Sequence, residues 1–186
     1  FINGLNKMGL EYVDVLFLGF YPKKPRDRIL NWAIKLKEMG LVRFIGLSSH
    51  NRSLFPRLAE ENIIDVFHIR YNAANRGAED DVFPHLRAEN KPGIVIFTAT
   101  RWGQLLKESR MPPDEAPLSA IDCYRFVLSH PSVDLCLTGA RDRDMMQENL
   151  KTLELGPLNN NETQRIRRIG DHVYGKPRVQ AAEVRQ

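Results

Sequence analysis

Val42-Arg-Phe-Ile-Gly-Leu47 is a short apolar run that stops abruptly in Ser48, Ser49, His50 and Asn51. Its apolar positions are too few and too continuous for an amphipathic helix, so the run reads as a strand buried on both faces, as in a parallel sheet. The polar residues then stand at its C-terminal mouth. Ligands bind at such mouths in α/β folds, because strand ends and helix N-termini there offer backbone N–H groups and polar side chains to one cavity.

The same pattern recurs along the chain. Val13 to Leu18, Val66 to Arg70, Ile94 to Phe97 and Val133 to Leu137 are further short apolar runs. Helical periodicity fills the intervals. In the stretch from Arg26 to Met39, Ile29, Ala33 and Leu36 fall at i, i+4 and i+7, with Leu30 and Ile34 widening the stripe. Helices are also expected from Phe1 to Gly9, where Gly9 is a C-cap, over Leu54 to Asn62, Asp81 to Asn90, Leu118 to Ser129, Arg143 to Leu153 and Glu162 to Tyr174. Five strands, each followed by a helix, predict a parallel sheet with right-handed crossovers. The polar segment 176–186 is expected to fray.

The 186 residues, 42% hydrophobic and 27% charged, suit one domain with a substantial core. No apolar run approaches the ~20 residues of a membrane helix, and no signal-like segment opens the chain. The expectation is a cytoplasmic protein with no membrane partner. Opening on Phe1, inside a helical pattern, suggests a chain whose beginning is missing. The net charge of +4 is scattered apart from Arg165, Arg167 and Arg168, which argues against a nucleic-acid partner. Cys123 and Cys136 lack disulfide or metal-ligand spacing and read as small core residues, and no metal is expected. Asn51-Arg-Ser and Asn161-Glu-Thr match the glycosylation sequon, and both are read as chance.

Three strand ends carry candidate chemistry: Ser48, Ser49 and His50; Thr98, Thr100, Arg101 and Trp102; and Thr138, Gly139, Ala140 and Arg141. Hydroxyls, small residues and arginines before a helix N-terminus suit an anionic phosphate. The same residues also suit ordinary turns in which Ser and Thr cap helices. Of the histidines, His50 stands at a strand mouth and His68 within a strand, whereas His85, His130 and His172 fall on or near helices and are expected at the surface.

Several of these segments together resemble the aldo-keto reductase family. They are Tyr12-Val-Asp14, Gly40-Leu-Val-Arg-Phe-Ile-Gly-Leu-Ser48, Tyr71-Asn72, Gly103-Gln-Leu105, and Gly139-Ala-Arg141 with Glu148-Asn149-Leu150, in that family's order and spacing. The resemblance implies the last five βα units of a (β/α)8 barrel that binds NADPH and transfers hydride between a carbonyl and an alcohol. Carried over, it implies that Ser48, Ser49 and His68 hold the nicotinamide amide and that Phe97 stacks on its ring. Thr98, Thr100 and Gly103 would line the pyrophosphate. Gly139, Ala140 and Arg141 would take the 2′-phosphate, and Glu148 and Asn149 the adenine. Met145 stands where relatives often carry a polar residue, which leaves NADPH against NADH open.

The family's catalytic aspartate, tyrosine and lysine fall before Phe1, and its catalytic histidine position is Gly19, so the chain alone is expected to be inactive. His50 is a weak substitute. The alternative is a catalytically inactive nucleotide-binding regulatory or scaffold protein on the same fold, and a third reading is a gene fragment that needs further segments to fold. Substrate and oligomeric state are not legible.

Overall fold

In the computed structural model, which describes residues 1–86 and 91–175, the apolar runs form one five-stranded sheet in the order β1–β2–β3–β4–β5. The strands are β1 Val13–Phe20, β2 Val42–Ser49, β3 Val66–Arg70, β4 Gly93–Phe97 and β5 Leu135–Cys136. β1 with β2, β2 with β3, and β3 with β4 pair in parallel. Neighbours in space that are also neighbours in sequence, all parallel, are what successive βα units produce. The architecture is a partial (β/α)8 barrel.

The helices are α1 Ile2–Met8, α2 Asp27–Glu38, α3 Leu54–Glu60, α4 Ala78–Asp81, α5 Ala120–Leu128, α6 Arg143–Leu155 and α7 Asn160–Tyr174. Gly9 closes α1 in the left-handed conformation expected of it, at φ 66°. The helix expected over Asp81 to Asn90 is not one element. α4 stops at Asp81 and a 3-10 turn follows over Phe83–His85, with Pro84 inside it. The break is at Val82, at φ −129° and ψ −65°, and Pro84 then stands in the first positions of the 3-10 turn, where its missing N–H is tolerated. Residues 87–90 and the tail 176–186 lie outside the described residues.

Between β4 and α5 lie 3-10 turns at Gln104–Leu106 and Glu108–Arg110. One other expectation needs correction. β5 is two residues long instead of five, and Leu135 on it and Leu137 just past it are exposed. The chain groups into two compact units. One comprises Phe1–Arg70, Gly77–Phe97 and Pro131–Leu135; the other comprises Tyr71–Arg76, Thr98–His130 and the chain from Cys136.

In the first unit the sheet has two unlike faces. Phe67, Ile69, Ile94 and Ile96 are buried, whereas the alternate residues Val66, His68, Arg70, Val95 and Phe97 are half-buried. Alternation of period two sends these sets to opposite sides. The buried side forms the core with Ile45, Leu47, Phe55 and Leu58, the Phe55 and Phe67 rings lying 5.0 Å apart. On the other face Val15 and Phe17 of β1 remain exposed. Gly46 belongs to that face, since a Cβ added to it would lie 2.7 Å from the Phe17 ring.

A repeated aspartate latch closes the N-terminal end of this sheet. Asp65, just before β3, accepts the Ile45 N–H with Oδ2 at 2.8 Å, donates its own N–H to the Ile45 carbonyl, and pairs with Lys37 at 2.7 Å. Asp134, just before β5, does the same to Ile94 at 2.7 Å and pairs with Lys91 at 3.1 Å. Each carboxylate thereby holds the register of its strand against the preceding one.

The second unit rests on helix caps and buried ion pairs. Capping boxes open α5 at Ser119 with Asp122 and α7 at Asn159 with Glu162, two donors being satisfied reciprocally in each. Glu162 also accepts from Arg125 at 2.8 Å. Arg76, 5% exposed, donates to Asp171 at 2.6 Å. Gly170 on α7 admits the Ala73 carbonyl so closely that an added Cβ would sit 2.1 Å from its oxygen.

Replacing Asp65 with alanine leaves the Ile45 N–H without its acceptor and Lys37 without its partner. Urea denaturation of Asp65→Ala should show a loss of about 2 kcal/mol, the scale of a hydrogen bond to a charged group. An unchanged midpoint would show that the latch does not hold the register.

Candidate functional site

At the C-terminal ends of β1 to β4 the first unit gathers Ser48, His50, His68 and Phe97. The Ser48 hydroxyl donates to the His68 carbonyl at 3.3 Å, across the register pair Ser48–His68. The His68 ring lies 4.2 Å from the Phe17 ring. His50, one residue past β2, has its ring 4.8 Å from that of Phe20 and stacked at 6.1 Å on that of Phe97. Ser49 does not share this face. It is 1% exposed, is paired with the buried Ile69, and accepts the Asn51 N–H with its hydroxyl at 3.0 Å.

Gly19 explains how Phe20 enters the group. Phe17 pairs with Gly46 but Phe20 with Ser48, so β1 spends one residue more than β2 over that step. This is a β-bulge, and Gly19 takes it at φ 102°, where L side chains are strained. Phe20 thereby stands opposite Ser48, and position 19 has a backbone suited to glycine. A histidine there would carry the strain of that conformation.

Both histidines of the face are held below the ordinary histidine value. For His68 the cause is burial; for His50 it is burial first and then the positive charge of Arg70. Both rings are therefore neutral at pH 7, each with one donor and one acceptor nitrogen. His50 can form hydrogen bonds to a ligand without bringing a charge.

The second unit contains the other candidates. Thr98, Arg101 and Trp102 all have left-handed backbones, at φ 59°, 52° and 52°, and Gly103 follows at 76°. Such a run of non-glycine residues persists only where its surroundings enforce it. Asn72, fully buried, donates its side-chain amide to the Thr98 carbonyl at 2.9 Å, Thr100 accepts the Gly103 N–H at 3.2 Å, and Arg101 donates to the Val173 carbonyl. Asn72 was legible only as part of the Tyr71-Asn72 pair. That it braces a strained turn depends on the fold.

Past β5, Gly139 and Arg141 are exposed and Ala140 is half-buried. The helix N-terminus read as a phosphate seat is already capped, because Asp142 accepts the Met145 N–H at 2.8 Å and pairs with Arg141 at 3.3 Å. Glu148 is exposed and paired with Lys151 at 2.5 Å. Asn149 is buried, and its amide donates to the Thr138 hydroxyl at 2.7 Å, which in turn donates to the Tyr124 hydroxyl at 2.8 Å. Its other atom, Oδ1, is buried with no partner among the described residues, and Asn149 borders a cleft of about 190 Å³ with Tyr124, Leu128, Met146 and Leu150.

The remaining candidates are structural. Burial pushes the Cys136 thiol up to about 12 and the Cys123 thiol higher still, so neither is a nucleophile at neutral pH. His85 and His172 are exposed, but His130 is half-buried edge-on to the Tyr71 ring at 5.8 Å, contrary to its expected surface position. Among the described residues no group of three or more metal-ligating side chains occurs, and no helix is long and apolar enough to cross a membrane.

No protein-family model and no curated protein matches the chain. Its fold is that of solved aldo-keto reductases. Over 90% of the chain it superimposes on aldo-keto reductase AKR11C1 from Bacillus halodurans, apo form, with a TM-score of 0.74 at 20% identity. The holo form of that protein gives 0.73 at 20%, and the thermostable aldo-keto reductase Tm1743, in complex with the inhibitor epalrestat, gives 0.68 at 21%. The chain spans 64–65% of the length of these structures.

The depressed His68 value carries a stability consequence. Between the folded-state value and the ordinary 6.5, the unfolded chain binds the proton that the folded chain refuses. Stability attributable to His68 is therefore complete above pH 6.5 and declines as the pH falls below it. The urea midpoint should fall further between pH 7.5 and 5.5 for the native chain than for His68→Gln. Equal falls would show that His68 is not held neutral by burial.

Proposed function

We propose that this chain belongs to the aldo-keto reductases and forms the cofactor-holding part of an NADP(H)-dependent oxidoreductase that transfers hydride between carbonyl and alcohol. The observation that carries the reading is the placement of Ser48, buried, with His68 and Phe97, half-buried, on one face of the sheet. A nicotinamide needs an apolar ring face and hydrogen-bonding groups at its amide, and these residues supply both.

The second unit, taken by itself, has one identifiable atom that suits an adenine nucleotide. Asn149 Oδ1 is a buried acceptor without a donor, and the adenine amino group is a donor of suitable kind. Arg141, with its side chain largely in solvent, has a guanidinium free to turn from Asp142 to a 2′-phosphate, which it can grip with two parallel N–H donors. Thr98, Thr100 and Gly103 lie on the braced turn that would follow the pyrophosphate. Asp142 disfavours a phosphate directly on the N-terminus of α6, which leaves recognition of the anion to Arg141.

The bound cofactor supplies the hydride. Phe97 would fix the plane of the ring, Ser48 and the neutral His68 would orient its amide, and the apolar neighbours Phe17 and Phe20 would exclude water from that end. Ser49, buried and engaged, takes no part in this arrangement. The roles assigned to Ser48, His68 and Phe97 are binding and orientation, and protonation of the product oxygen is not assigned to them.

Titrating the chain with NADPH while following the fluorescence of Trp102 and Trp32, 63% and 58% exposed, tests the reading. Micromolar binding is expected, weakened about tenfold or more by Arg141→Ala, which corresponds to about 1.4 kcal/mol for each factor of ten. Asn149→Ala should also weaken it. A folded chain that does not bind NADPH would sink the assignment and leave the fold serving as a scaffold.

A further inference from the structure

Arg70 is the last residue of β3 and stands between two aromatic rings. The register pairs it with Phe97 on β4, and the next step beyond the Ser49–Ile69 pair sets it against His50. β2 and β4, on either side of β3, are about 10 Å apart. The His50 and Phe97 ring centroids are only 6.1 Å apart and the planes 24° from parallel. The two rings therefore lean toward each other across β3, over the position from which Arg70 rises. Arg70 shares the half-buried face with His68, two residues before it.

The Arg70 guanidinium makes no hydrogen bond or ion pair among the described residues, and four aspartates of its unit are committed elsewhere. Asp14 is held by Arg43, Asp65 by Lys37, Asp81 by Arg52 and Asp134 by Lys91. A half-buried cation without a counter-ion is unfavourable, and an anion delivered from solution relieves it. The planar fork of arginine matches a carboxylate with two parallel hydrogen bonds, and the flanking rings suit a flat apolar body attached to that carboxylate.

We propose that Arg70 is the anchor for a carboxylate-bearing carbonyl substrate, an aryl 2-oxo acid in its simplest form, with its ring held against the edge of His50. The proposal rests on the oxidoreductase reading for the word substrate, but the anion seat itself depends only on Arg70 and its neighbours. His50, uncharged, adds a hydrogen bond to the ligand and does not compete for its charge. Arg70 selects the substrate by holding it, and has no part in the transfer itself.

Isothermal titration of the full 186-residue chain with benzoylformate, and separately with its methyl ester, tests this. The acid should bind at least tenfold more tightly than the ester. Arg70→Gln should abolish that preference while leaving NADPH affinity unchanged, and Arg70→Lys, which keeps the charge without the fork, should retain part of it. Equal binding of acid and ester to the native chain overturns the proposal without any variant, as does an Arg70→Gln chain that still prefers the acid. Absence of benzoylformate binding to a chain that binds NADPH overturns it too. Acid preference lost in Arg70→Gln, in a chain that does not bind NADPH, supports the anion seat and removes the cofactor reading alone.

Discussion

Backbone pairing of parallel strands in a single register is the interaction on which the rest depends. Because strand side chains alternate with period two, a slip of one residue would send His68, Arg70 and Phe97 into the core and Ile69 and Ile96 out of it. The register is held from below by Asp65 and Asp134, each joining a carboxylate to a neighbouring strand's N–H and to a lysine. The face at the strand tops exists because the bottoms are latched.

Above that latch, β1 departs from strict pairing and gains a feature by doing so. The extra residue at Gly19 bends the strand and brings Phe20 level with Ser48, beside His50. The resulting wall is aromatic, with Phe17, Phe20 and Phe97 around two imidazoles that burial keeps neutral. An apolar wall favours a flat ring and raises the value of each polar contact made beside it. Arg70 is the charged exception on the face, and it has no ion-pair partner among the described residues.

The second unit satisfies its polar groups by other means. Capping boxes close α5 and α7, Asn72 holds a strained turn, and Asp142 caps α6 at the place where the sequence suggested a phosphate. One acceptor, Asn149 Oδ1, is left over. A helix N-terminus already occupied by its own carboxylate and a buried amide oxygen still wanting a donor point to different ligand groups, and the second is the more specific signal.

The sequence by itself determined the strand-and-helix alternation, the positions of β1 to β4 and the three polar strand ends, because those signals are local: short continuous apolar runs, period-3.6 stripes, and hydroxyls or glycines where a run stops. Local reading failed where a neighbour decides. β5 shrank to two residues, and the segment from Asp81 broke at Val82. Ser48 and Ser49 looked equivalent in the sequence, yet both are buried and the pleat of the sheet sends them to opposite faces. Gly19 reads as the mere loss of a histidine until the bulge shows a backbone that only glycine adopts without strain. Arg70 carries no signal in the sequence at all, since one arginine among many becomes a candidate anchor only when the register of three strands sets it between two rings and the ion pairs of its neighbours leave it alone. Tertiary structure decided these points because facing, burial and pairing are properties of residues far apart in the chain.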